Sequence, residues 1–127
     1  MSGDLSTWLT AQIDAAEART RERLYWAQQT ILTLKDPRLL GKYIPGWHDW
    51  PDVERVCTER LAELAAARRI LDAHADALRM HRLMSEADDD AKWDWLFKSE
   101  ALEGAVRLLA VPYAGQPGYR DEWRTDA

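Results

Sequence analysis

Cysteine is almost missing from this chain, and the single Cys57 excludes an internal disulfide and any metal site assembled from several thiolates. The 6 glycines are scattered, so no loop can cradle a phosphate with consecutive backbone amides. No run approaches the roughly 20 apolar residues of a membrane-spanning helix, and no stretch alternates in the manner of a strand. A basic excess is missing too. The net charge of -5 disfavours nonspecific nucleic-acid binding, which neutralises phosphates. The first residues, Met1 to Trp8, form neither a basic nor an apolar leader, which predicts a cytoplasmic location.

What the chain does have is helical periodicity. Leu9, Ile13, Ala16, Thr20, Leu24, Ala27, Ile31 and Leu34 recur at three- and four-residue spacing, and place one apolar stripe on a helix over 6–35. Ser6 or Asp4 is the expected cap. A second helix, over 51–84, opens on Pro51, Asp52 and Glu54 and carries Val53, Cys57, Leu61, Leu64, Ala67, Leu71, His74, Leu78 and His81. A third, over 89–111, carries Trp93, Leu96, Phe97, Ala101, Leu102, Ala105, Leu108 and Leu109, a stripe broad enough for packing on two neighbours. Gly104 within it implies a close approach, and Pro112 is expected to end it. The fold class is all-α: one domain over 1–127, an elongated antiparallel three-helix bundle with an ordered aromatic tail at 112–127.

Half of the 12 aromatic residues stand in two places. The loop 36–50 holds Tyr43, Trp47 and Trp50, which either plug the end of the bundle or form an exposed patch where a partner docks. The tail holds Tyr113, Tyr119 and Trp123 after Pro112. Tyr119 and Trp123 are four residues apart, so one helical turn would aim both rings at the bundle as a clasp over the first and third helices.

Reactive constellations are sparse. His74 and His81 share a stripe, but two helical turns separate them by about 10 Å, too far for one zinc ion. His48 would have to join one of them, and the competing reading is histidines hydrogen-bonded within the bundle. Cys57 lies about 25 Å along the helix from His74, beyond the reach of a nucleophile–base pair. Asp88, Asp89 and Asp90 lack the spacing of a calcium loop and suit a helix start. Arginines at 19, 21, 23, 68 and 69 read as a solvated face paired with Glu17, Glu22 and Glu63, the alternative being a local basic patch. No catalytic residue and no cofactor is expected.

The residues Leu108 to Ala114, then Pro117, Tyr119, Arg120, Glu122, Trp123 and Arg124, resemble the closing signature of a family of small actinobacterial proteins, a domain of unknown function. Arg68 to Asp72 with His74 resemble that family's middle helix, and Asp4, Leu5, Asp14 and Glu17 its opening. The resemblance implies an actinobacterium or its phage as host, and a virion location if the chain is phage-encoded. Many members carry a cysteine pair and another histidine before the closing signature, which implies metal binding for them. Here Met80 to Asp90 contains no cysteine, so that role is not inherited. The reading is of a noncatalytic interaction protein, a subunit or accessory factor with a protein partner or a second copy of itself. A histidine-based metal module and a nucleic-acid mimic or binding module are the alternatives.

Overall fold

The computed structural model describes residues 2–35, 50–84, 86 and 89–124. They form an all-α three-helix bundle: α1 (Ser2–Lys35), α2 (Trp50–Met84) and α3 (Asp89–Ala110), followed by short 3₁₀ turns at Val111–Tyr113 and Asp121–Trp123. Helix α1 starts at Ser2, ahead of the expected caps. Its extra turn is anchored by Leu5, which is buried, and by Asp4, which pairs with Arg120 in place of capping. Helix α2 takes in Trp50, placing it on a helix rather than in the loop. Pro112 does not stop the chain abruptly either. It occupies the first turn of the 3₁₀ segment, where its missing N–H costs no bond.

Two compact units share these helices, Asp14–Ala65 and the pair of segments Met1–Ile13 with Ala66–Ala127. The first is a helical hairpin. Ala16 and Arg19 face Cys57 and Arg60, while Trp26, further along α1, faces Trp50 and Val53 at the start of α2. That reversed order makes the two helices antiparallel. Ala16, Ala27, Cys57 and Leu64 are its buried apolar residues. Small side chains let neighbouring helices approach closely.

The second unit gathers the start of α1, the end of α2, all of α3 and the tail. Its buried apolar residues include Leu5, Leu9, Ile13, Leu71, Val106 and Ala110, together with the imidazole of His74 at 2% exposure. Helix α3 departs from the single broad stripe expected of it. Ser99, Val106 and Ala110 are buried, whereas Trp93, Phe97 and Leu108 are more than half exposed. Nor is Gly104 a close-approach point within the chain, since a Cβ there would meet nothing within 4 Å.

The tail closes on α1. The indole N–H of Trp8 donates to the carbonyl of Pro117 at 3.0 Å. The rings of Tyr119 and Trp123 lie 5.6 and 5.3 Å from the Trp8 ring and 5.7 Å from each other, so the three aromatics form one cluster. Trp123 is 4% exposed. Its indole nitrogen has no hydrogen-bond partner, a cost that burial of the ring must outweigh. Arg120 lies over the Trp123 ring and reaches Asp4 at 3.3 Å. Residues 119–123 are not one helical turn, because Arg120 is extended; the rings meet through Trp8 instead. The ring contacts and side-chain bonds described for Tyr119, Arg120 and Trp123 go to α1 or stay within the tail; none of them reaches α3. Successive turns satisfy the tail's own backbone, as in Gln116 N–H to Tyr113 O at 2.9 Å.

Gly118 makes this approach possible. Its φ is +91°, and a Cβ there would sit 2.7 Å from the Trp8 indole nitrogen. Gly118→Ala therefore combines backbone strain with a clash and is expected to destabilise the protein by at least about 1 kcal/mol. Gly115 has open space around it and no positive φ, so Gly115→Ala is expected to change stability by less than about 0.5 kcal/mol. Urea unfolding of the pair checks the contrast; equal effects would contradict the closure.

His74 generates a second expectation. Burial strips water from its imidazole and lowers its pKa, an effect that the nearby Glu103 carboxylate opposes only in part. The folded state therefore holds the neutral ring, and the unfolded chain binds more protons between the lowered pKa and the ordinary 6.5. Stability from this group is full above that ordinary value and is lost as pH falls below it. Thermal melts from neutral to mildly acidic pH should show a fall in Tm that is shallower in His74→Leu than in the unaltered chain. Parallel slopes would contradict the assignment.

Candidate partner-binding surface

Several arginines of this chain are neutralised by an acid on the same helix face. Arg21 bonds Glu17 at 3.0 Å, Arg60 bonds Glu63 at 3.2 Å and Arg79 bonds Asp76 at 3.0 Å. Arg55 contacts both Asp52 and Glu59, and those hydrogen bonds raise its pKa further. Such exposed pairs contribute little stability, yet they cancel charge locally.

Arg19 and Arg23 break this pattern. They are four residues apart, so they share a face and repel each other. The residues one helical turn either side of Arg23 are Arg19, Thr20, Trp26 and Ala27, none of them acidic. Among the described residues neither arginine has an ion-pair partner. The basic patch that the sequence offered as the alternative to paired arginines is thus found at these two positions, while Arg21 follows the paired reading.

Both line a cleft within the Asp14–Ala65 hairpin. A first lobe of about 330 Å³ is walled by Ala16, Arg19, Thr20, Arg23, Val56, Cys57 and Arg60, and no carboxylate lines it. A second lobe of about 490 Å³ shares Arg19 and Arg23 and adds Glu22, Trp26, Trp50 and Val53. Trp26 is 59% exposed and braced edge-on by Tyr25 at 5.4 Å. Three guanidinium groups beside two indoles form a surface that is cationic in one lobe and aromatic in the other. Arginine and tryptophan are the side chains that dominate binding energy at protein interfaces.

Of the aromatic residues expected to dock a partner, Trp50 joins this cleft, half-buried on α2. Tyr43 and Trp47 lie outside the described residues, as does His48. Trp26 was missed by sequence reasoning because it adjoins the stripe residue Ala27. The available signal was its position one turn after Arg23.

The other candidate residues lie in the second unit. His74 and His81 line one cavity of about 510 Å³ together with Ser6, Thr7, Ala75, Leu78 and Arg82. The His81 Nε2 atom is buried without a hydrogen-bond partner. Among the described residues no three His, Cys, Asp or Glu side chains converge as metal ligands. Cys57 is buried as a free thiol and belongs to the hairpin unit, whereas His74 belongs to the second. Pro112 is exposed and Tyr113 half-buried, while Tyr119 and Trp123 belong to the cluster on Trp8. No described helix is long and apolar enough to cross a membrane.

No curated protein and no solved structure matches this chain. A family model does, over residues 2–125, which takes in both units and the aromatic tail. The chain belongs to the family of unknown function DUF6221.

Proposed function

We propose that this protein is a noncatalytic interaction protein, a subunit or accessory factor of a larger assembly, which receives an acidic segment of another protein in the cleft of the Asp14–Ala65 hairpin. The observation that carries this reading is the pair Arg19 and Arg23, left without ion partners beside the exposed Trp26. In a chain of net charge -5, a local cluster of unneutralised arginines adds repulsion that folding does not need. A partner carboxylate would satisfy each guanidinium through paired N–H donors, and an apolar side chain of the same segment would cover Trp26. A protein segment fits better than a nucleic acid, because the overall negative charge repels an extended polyanion. The likeness of the closing residues to actinobacterial proteins favours a host in that group or among its phages, and action in the cytoplasm or the virion.

Metal binding is the second reading, favoured by the cavity that His74 and His81 share and by the unpaired His81 Nε2. Their two-turn separation on α2 weighs against one ion held by both. Zinc titration followed by thermal shift separates the two readings.

The experiment for the first is affinity capture from the host with the whole chain as bait, compared with an Arg19→Glu/Arg23→Glu bait and a Trp26→Ala bait. A protein held by the unaltered bait is expected to be lost to the charge-reversed one and weakened by roughly tenfold or more with Trp26→Ala. Its release should steepen with salt. Capture of the same proteins by all three baits would remove the cleft from consideration.

A further inference from the structure

We infer that the outward face of α3 is a self-complementary surface on which a second copy of this chain packs antiparallel. The face is continuous. Trp93, Phe97, Ala101, Gly104 and Leu108 follow one another at three- and four-residue steps, which keeps them on one side of a helix of 3.6 residues per turn, and Val111 continues the spacing into the 3₁₀ turn that follows. Val106, nine residues from Phe97 and therefore on the opposite side, is fully buried. Exposure on the outer side is 53% for Trp93, 63% for Phe97, 61% for Leu108 and 50% for Val111. Helix α3 thus has one apolar side against its own bundle and another left exposed among the described residues.

The order of side-chain sizes selects the occupant. Bulky residues stand at both ends of the face, and the smallest two, Ala101 and Gly104, stand at its centre. A two-fold axis between Ala101 and Gly104 brings Ala101 of one copy against Gly104 of the other. It also sets Phe97 against Leu108 and Trp93 against Val111. Each such contact occurs twice, as an isologous interface requires. The small centre allows the backbones to cross closely, and Gly104, which has nothing within 4 Å in the single chain, acquires the neighbour its position otherwise lacks.

Charge agrees with this register. Glu100 and Arg107 border the same edge of the face, and reversal of direction sets Glu100 of one copy beside Arg107 of the other. Arg107 already leans on Glu103 of its own helix at 3.6 Å, so each arginine would lie between two carboxylates. On the opposite edge Lys98 pairs with Asp94 at 3.0 Å within one helix and leaves no unmatched charge there. The four large side chains expose on the order of 400 Å² of apolar surface per copy. That is below the roughly 800 Å² per partner of a standard interface and fits a weak, reversible dimer.

Sedimentation velocity from low micromolar to several hundred micromolar tests this on the full chain. The unaltered protein is expected to pass from monomer to dimer. Phe97→Glu should raise the dimerisation midpoint by at least roughly tenfold, with its helical content unchanged. Gly104→Leu distinguishes the dimer from the fold, since it fills empty space in the monomer and removes the least helix-favouring residue type after proline. It should raise Tm at dilute concentration and yet abolish dimerisation. A protein that stays monomeric throughout, whether because another protein or nothing covers this face, would overturn the proposal. So would a dimer indifferent to both substitutions. The Arg19→Glu/Arg23→Glu chain should dimerise normally, which keeps failure here separate from failure of the cleft.

Discussion

The contact on which the second unit most depends joins residues far apart in sequence: the Trp8 indole N–H, held by the Pro117 carbonyl, over a glycine with no side chain to obstruct it. Its geometry constrains three choices at once. Position 118 must tolerate φ of +91° and leave the space that a Cβ would fill. Tyr119 and Trp123 must present their rings to Trp8, and Arg120 must span from the Trp123 face to Asp4. Burial of the Trp123 ring against Trp8 and Tyr119 outweighs its unsatisfied nitrogen, because aromatic burial is worth more than one neutral hydrogen bond. The same contact explains why α1 begins as early as Ser2, since its first turns are the surface on which the tail rests.

The hairpin unit obeys a different economy. It buries mostly small residues, Ala16, Ala27 and Cys57, and leaves its large aromatics at or near the surface. Its charge is partitioned too: Arg21 and Arg55 are paired with acids on their own helices, while Arg19 and Arg23, without ion partners among the described residues, line a cleft. The result is a chain whose aromatic residues serve two purposes. In one unit they hold the termini of the fold together, and in the hairpin they stand beside uncompensated positive charge, as a recognition surface requires.

Much of this was legible from spacing. The stripes on α1 and α2 correspond to their buried faces, because a regular helix converts residue number directly into direction. Helix α3 was less legible. Trp93, Phe97 and Leu108 look like core residues to any hydrophobicity pattern, and only the position of the neighbouring helices shows which of its two apolar sides is covered. Gly104 was misread for the same reason, and Gly118 was the glycine that mattered. Trp8 was overlooked beside Leu9, since an N-terminal residue and a tail some hundred positions later share no period. The unpaired state of Arg23 was legible in principle from the acids missing one turn either side of it, whereas Arg19 has Glu22 one turn on, a spacing that suggests a pair not found among the described residues.

Trp8 and Trp123 are tied into one cluster with the tail, Trp8 half-buried and Trp123 buried, while Trp26 is left facing outward. Indole N–H hydrogen exchange, followed by NMR with each tryptophan assigned, measures this directly. The account predicts slow exchange at Trp8, bonded to Pro117, and at Trp123, which is buried, with fast exchange at Trp26. Rapid exchange at Trp8, or protection of Trp26 in the isolated protein, would contradict it.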